Sequence, residues 1–223
     1  MSEEAKITIE EARALVADAA LWPRVRDFLW DFAPQVHASW LKGLETSSSP
    51  RIKKYILGTL GVEPCFHTFP RDDWSRLLLL DGATLEAIVK WLGAIVMADE
   101  LRRVADGKTV RGLKAALPGI YPDVFAYGMY FSGFDLSRKE GSRGGAEAQG
   151  SEGSAAQGVL SAGLSVVEPM LAPLPKPLVA RFRFKLPEGL CSSVSLRLKP
   201  AERGKMVSKL LKLKFPEAYS LCC

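Results

Sequence analysis

The chain has 223 residues, 48% of them hydrophobic and 25% charged, with a formal net charge of +5. That is room for one sizeable domain or two small ones with a real core, in an ordinary globular composition. The first twenty residues, MSEEAKITIEEARALVADAA, carry acids where a secretory signal needs a basic start and an apolar centre. The longest apolar run, Leu77 to Ala98, is interrupted by Asp81, Glu86 and Lys90, so no membrane span is expected. Four cysteines at 65, 191, 222 and 223 lack CxxC spacing, and only His37 and His67 could complete a metal site. Neither a disulfide framework nor a metal or other cofactor is expected, and the chain reads as cytoplasmic with reduced thiols.

In chain order, Thr8 and Glu11 have capping-box spacing, which starts a helix near Ile9. Trp22-Pro23 ends that helix or opens the next, and Pro34 breaks the aromatic-rich stretch that follows. ETSSSP, Glu45 to Pro50, reads as a loop. Ile52, Tyr55, Ile56 and Leu60 recur at helical intervals. GVEPCFHTFPRDDW has two prolines and no period, and reads as a loop pinned by its aromatics. A long helix is expected over Ala83–Ala105, with Leu85, Ile88, Val89, Leu92, Ile95 and Val96 on one stripe. Asp99 and Arg103 continue that stripe with ion-pair spacing. Gly107 is expected as its left-handed C-cap and Thr109 as the cap of a second helix, which Pro118-Gly119 stops. Ser137 to Gly158 offers no aromatic or large aliphatic residue to bury and reads as a flexible linker. RFRFKLP alternates basic and apolar residues as a strand does, with Phe182 and Phe184 inward. The C-terminal AERGKMVSKLLKLKFPEAY is a basic amphipathic helix with Met206, Leu210 and Leu213 on one side. The expected fold is mainly α: a helical domain at 1–136, a flexible linker or loop at 137–158, and a basic segment at 159–223, with room for one short strand, packing on or beside the helical domain.

The charge is uneven. Residues 175–223 hold 11 Lys/Arg against 3 Asp/Glu, a net of +8, which leaves −3 for the rest. Such a half suits an acidic protein, an anionic membrane surface or nucleic acid. Gly107-Lys108-Thr109 resembles the end of a phosphate-binding loop, but Arg102 stands where that motif needs glycine, and a helix precedes it where a strand is required. It is read as a helix–helix turn. Cys65 and His67 could suggest a nucleophile and base, but no Asn or Asp has a convincing orienting position, and a packed or surface role is preferred for each histidine. Asp72 and Asp73 are adjacent acids before Trp74, more suited to capping than to acid–base work. Lys205, Lys209 and Lys212 share a helix face, with Lys214 off it, and Arg102 lies off the central apolar stripe. These four, Arg102, Lys205, Lys209 and Lys212, are the candidate partner-binding residues; no catalytic residue is assigned.

VHASWL, the block WLGAIVMADELRRVADGKTVRGLKAALPGIYPDVFAYG, and the close RFRFKLPE…LLKLKFPEAYSL together resemble the K component of type III secretion injectisomes (SctK, YscK or PscK). The likeness covers roughly residues 20–136 and 179–221, and the 137–158 segment departs from it. The resemblance implies a non-enzymatic cytosolic adaptor of the sorting platform at the cytoplasmic face of the bacterial inner membrane. Its implied partners are the cytosolic domain of the inner-membrane ring protein, the D component, and the pod protein, the Q component. A reading of another class is a peripheral membrane- or nucleic-acid-binding module that uses the basic C-terminal helix.

Overall fold

The computed structural model describes residues 21–41, 58, 74–104, 106–137, 152–192 and 195–222. The helix start at Thr8, the loop at 45–50, nearly all of the helix expected over 52–60, and Cys65, His67, Asp72 and Asp73 lie outside the described residues. Among the described residues the structure is helical: α1 (Trp22–Trp30), α2 (Gly82–Val96), α3 (Ala98–Arg103), α4 (Gly107–Ala116), α5 (Tyr121–Tyr130), α6 (Glu152–Leu171), α7 (Lys176–Phe184), α8 (Pro200–Lys214) and α9 (Pro216–Cys222). Short 3-10 turns occupy Ala33–Gln35, Ala38–Leu41 and Ser75–Leu79. Leu196 makes one isolated bridge, and there is no strand among the described residues. No described helix is long and apolar enough to cross a membrane.

The described residues form two compact units, the first from within 21–82 and 174–188, the second from within 83–173 and 189–221. Each unit therefore draws on chain from both sides of the 137–158 segment. That segment is not all linker: residues 152–158 open α6. Extending a helix costs little once its body is buried, and Ala155, Ala156 and Gln157 are good helix formers.

In the first unit, Pro23 occupies the first turn of α1, where its missing N–H costs nothing. Val25, Phe28 and Leu29 form the buried face, and Phe28 meets Phe32 edge-on at 5.6 Å. The expected strand at RFRFKLP is instead α7 with its C-terminal turn. Leu178, Arg181, Phe182 and Lys185 recur at helical spacing and all four are buried. The period-two reading placed the basic residues outside; two of them are inside because they have acceptors there. The Arg181 guanidinium donates to the Phe28 carbonyl and lies 5.3 Å from the Phe32 ring centre. Lys185 Nζ donates to the Leu78 and Leu80 carbonyls at 2.6 and 2.7 Å, with the Phe28 ring centre 5.0 Å away. Burial pulls the Lys185 ammonium down to about 7, against the opposing pull of Asp81. Phe182 is buried, whereas Phe184 lies at the edge, T-stacked on Trp40 at 4.9 Å. Three hydrogen bonds clip 37–40 to 184–188: His37 N–H to Phe184 O, Trp40 Nε1–H to Leu186 O, and Glu188 N–H to Ser39 Oγ.

In the second unit, Leu85, Ile88, Val89, Leu92 and Ile95 are buried along α2 as their spacing predicts. The long helix does not run on to Ala105. It breaks at Met97, whose φ of −93° and ψ of 7° separate α2 from α3. Asp99 consequently pairs with Arg102 at 3.0 Å, three residues on, and not with Arg103. Gly107 is likewise no C-cap. It is the first residue of α4, and Asp106 is the cap, accepting from Thr109 N–H and Thr109 Oγ at 2.7 Å each. Those two hydrogen bonds hold the Asp106 carboxyl below its usual range. Gly119, at φ 74°, follows α4 as the expected stop.

α6 crosses α2 through glycines. A Cβ on Gly93 would fall 1.8 Å from the Val159 carbonyl oxygen, and one on Gly163 would fall 1.9 Å from that of Val89. Only hydrogen fits in such a crossing. α4 and α8 also pack on α6, and α3 and α4 pack on α5. Near its end α6 contains Pro169, which has no N–H to give the Ser165 carbonyl four residues back. Buried Arg203 of α8 supplies the donor: Nη1 reaches Ser165 O at 2.5 Å, and Nη2 reaches Leu196 O at 3.4 Å. Burial lowers the affinity of this guanidinium for its proton. Met206 and Leu210 of α8 are buried, but Leu213 is not. The inward face is completed by Arg203, Val207 and Leu211 instead.

Candidate interaction surface

The four residues singled out from the sequence all lie in the second unit. Two of them are engaged by α5. Arg102 pairs with Asp99 and donates from Nη2 to the Phe125 carbonyl at 3.2 Å, so it fastens α3 to α5. Gly128 leaves room for this, since a Cβ there would lie 2.8 Å from that nitrogen. Lys209 donates to the Tyr130 carbonyl and places its ammonium 5.4 Å from the Phe131 ring centre. Tyr130 ends α5, where free carbonyls concentrate negative potential, so Lys209 caps that helix with a positive charge. Lys205 and Lys212 are exposed.

Lys214, expected off the lysine face, is on the inner side of α8. Its ammonium reaches Asp123 Oδ2 at 2.7 Å and lies 4.2 Å from the Tyr127 ring centre and 4.7 Å from that of Trp91. Burial alone would lower its pKa; the hydrogen bonds with Asp123 and Tyr127 outweigh it and the pKa is raised. Trp91 and Tyr127 meet edge-on at 5.5 Å, and Tyr130 follows Tyr127 at 5.9 Å. A ladder of rings thus runs along α5 from the core to the surface, with one lysine of α8 at each end.

At the outer end the ladder emerges. Met129 is 74% exposed, Tyr130 59% and Leu213 43%. Leu213 lies one turn beyond Lys209 on α8, and Lys209 holds the Tyr130 carbonyl, so the exposed end of α5 is joined to the outward side of α8 at Lys209. The sequence reading does not single out Met129 and Tyr130, and it puts Leu213 on one side of the helix with Met206 and Leu210, whereas those two are buried and Leu213 is exposed. The available signal was the run YGMYFSGF, which carries more aromatics than one helix face can bury.

Elsewhere, Trp22 and Trp30 of the first unit are partly exposed and meet edge-on at 5.8 Å. His37 is half-buried, with Nδ1 accepting from the Ser39 backbone N–H at 3.1 Å in a local turn. Among the described residues no group of three His, Cys, Asp or Glu could hold a metal ion. Cys191 is exposed and Cys222 is buried. Compared with known proteins, the chain matches no family model, no curated protein and no solved structure.

Proposed function

We propose that this chain is a non-enzymatic protein-docking adaptor, of the kind that the K component of the type III secretion sorting platform represents. In that reading it links the cytosolic domain of the inner-membrane ring protein to the pod protein, at the cytoplasmic face of the inner membrane. The observation that carries the docking part is that α8 exposes Lys205 and Lys212 and, through Lys209, holds the end of α5, which exposes Met129 and Tyr130. The buried cations Lys185 and Arg203 instead bond backbone carbonyls. The platform assignment is supported by the sequence block at 91–128, which spans α2 to α5 and contains the residues that Arg102 joins.

The test is binding of the purified full chain to the ring protein's cytosolic domain and, separately, to the pod protein. Both should bind, with modest loss between low and physiological salt. Binding of neither overturns the platform assignment. A steep salt dependence with an oligonucleotide in their place would favour the nucleic-acid module, because counterion release makes such binding fall sharply with salt.

A further inference from the structure

The outward face of α8 and the last turn of α5, joined where Lys209 holds the Tyr130 carbonyl, expose two chemistries. Met129, Tyr130 and Leu213 supply apolar area, and Tyr is a side-chain type that dominates interface energetics. Met adapts its shape to what it meets. Lys205 and Lys212 lie seven residues apart on one face of α8, two turns or about 10 Å along the axis. Lys209, between them, is held on the Tyr130 carbonyl, so it fixes the anchor in place rather than offering a free charge.

We propose that this surface docks an acidic amphipathic segment of a partner protein. The segment's carboxylates, two helical turns apart, meet Lys205 and Lys212, and its apolar side chains cover Met129, Tyr130 and Leu213. The inference rests on the adaptor reading and names the chemistry of the partner. Charge decides the occupant. A second copy joined through a two-fold axis would set this lysine face against itself, and like charges across an interface suppress pairing. A nucleic acid would satisfy the lysines but leave Met129 and Leu213 against phosphate and sugar. An acidic amphipathic helix satisfies both chemistries at once.

The experiment is selection from a phage-displayed library of random helical peptides on the purified full chain. Selected peptides should carry Asp or Glu two turns apart with apolar residues between. Met129→Ser combined with Tyr130→Ser should weaken the best peptide about tenfold or more. Lys205→Glu with Lys212→Glu should slow its association strongly while leaving circular dichroism and melting unchanged, because both side chains are exposed. Lys209→Met is the contrast: it should lower the melting temperature through loss of the α5 cap. Selected peptides without acidic residues would overturn the proposal. So would equal binding by either double variant, or tighter binding of an oligothymidine or of anionic phosphatidylglycerol vesicles than of the peptides. Failure of the ring and pod proteins to bind would remove the platform assignment and leave the peptide result standing, so the two are separable.

Discussion

Lys185 is wholly buried, with its ammonium on two backbone carbonyls and its pKa drawn from 10.5 to about 7. Below pH 7 both the folded and unfolded chains hold the proton, and the lysine adds no slope to stability. Between about 7 and 10.5 the unfolded chain holds it and the folded chain does not, so stability rises with pH, by up to about 1.4 kcal/mol per unit. Lys185→Met should therefore flatten the rise in urea midpoint between neutral and alkaline pH; parallel curves for the two proteins would show that the ammonium is not desolvated. Arg203 permits a sharper residue-scale test. Pro169 orphans the Ser165 carbonyl, and Arg203 satisfies it. Arg203→Met leaves a buried acceptor unpaired and should cost about 1–3 kcal/mol. Adding Pro169→Ala restores an N–H four residues on. The loss in the double variant should then be clearly smaller than the sum of the two, as read from a double-mutant cycle in urea. Strict additivity would mean that proline and arginine act independently.

At the scale of elements, the same substitution should have opposite signs five residues apart on α6. Gly158 has open space at its Cβ position and a helical backbone, so Gly158→Ala should stabilise by roughly 0.5–1 kcal/mol. Gly163→Ala drives a methyl into the Val89 backbone and should destabilise by about 1–3 kcal/mol or more, since a backbone cannot swing aside. Thermal melts of the two variants check this; a shift in the same direction for both would refute the close crossing. The α2 stripe was legible from the sequence because periodicity needs only local spacing, and Leu85 to Ile95 obey it. The break at Met97 was not, because no proline or glycine marks it and the Leu101 N–H still reaches Met97 O at 2.8 Å. α7 was misread for a different reason. Its strand-like alternation assumes that arginine and lysine face water, whereas Phe28, Leu78 and Leu80 present carbonyls that accept them inside. On the candidate surface, the outward stance of Lys205 and Lys212 followed from helical spacing. The capping of α5 by Lys209 depends on residues 79 positions apart, which spacing does not reveal.

For the whole molecule, the composition overstates the basic surface. Among residues 175–223, Arg181, Lys185 and Arg203 are buried, Lys214 is paired with Asp123, and Lys209 is fixed on a carbonyl. The lysines that remain outward on α8 are few, which makes their positions more informative than the net charge. The first unit takes α7 from residues 176–184, far along the chain from α1. A chain ending at Pro173 would lack Leu178, Phe182 and Lys185, all wholly buried in the 223-residue chain. Its tryptophan emission should shift to the red and it should bind a hydrophobic dye. Native-like emission with a cooperative melt would mean that the N-terminal elements close without α7. The same division orders events during synthesis. On the ribosome, α1 must wait for about 145 further residues, and the 75–79 turn for nearly a hundred, before α7 can cover Phe28 and Phe32. The second unit is completed at a later point of the chain, by α8. Neither core can therefore close before its late helix has emerged, and until then the nascent chain carries exposed aromatic surface, a period in which chaperones hold such chains.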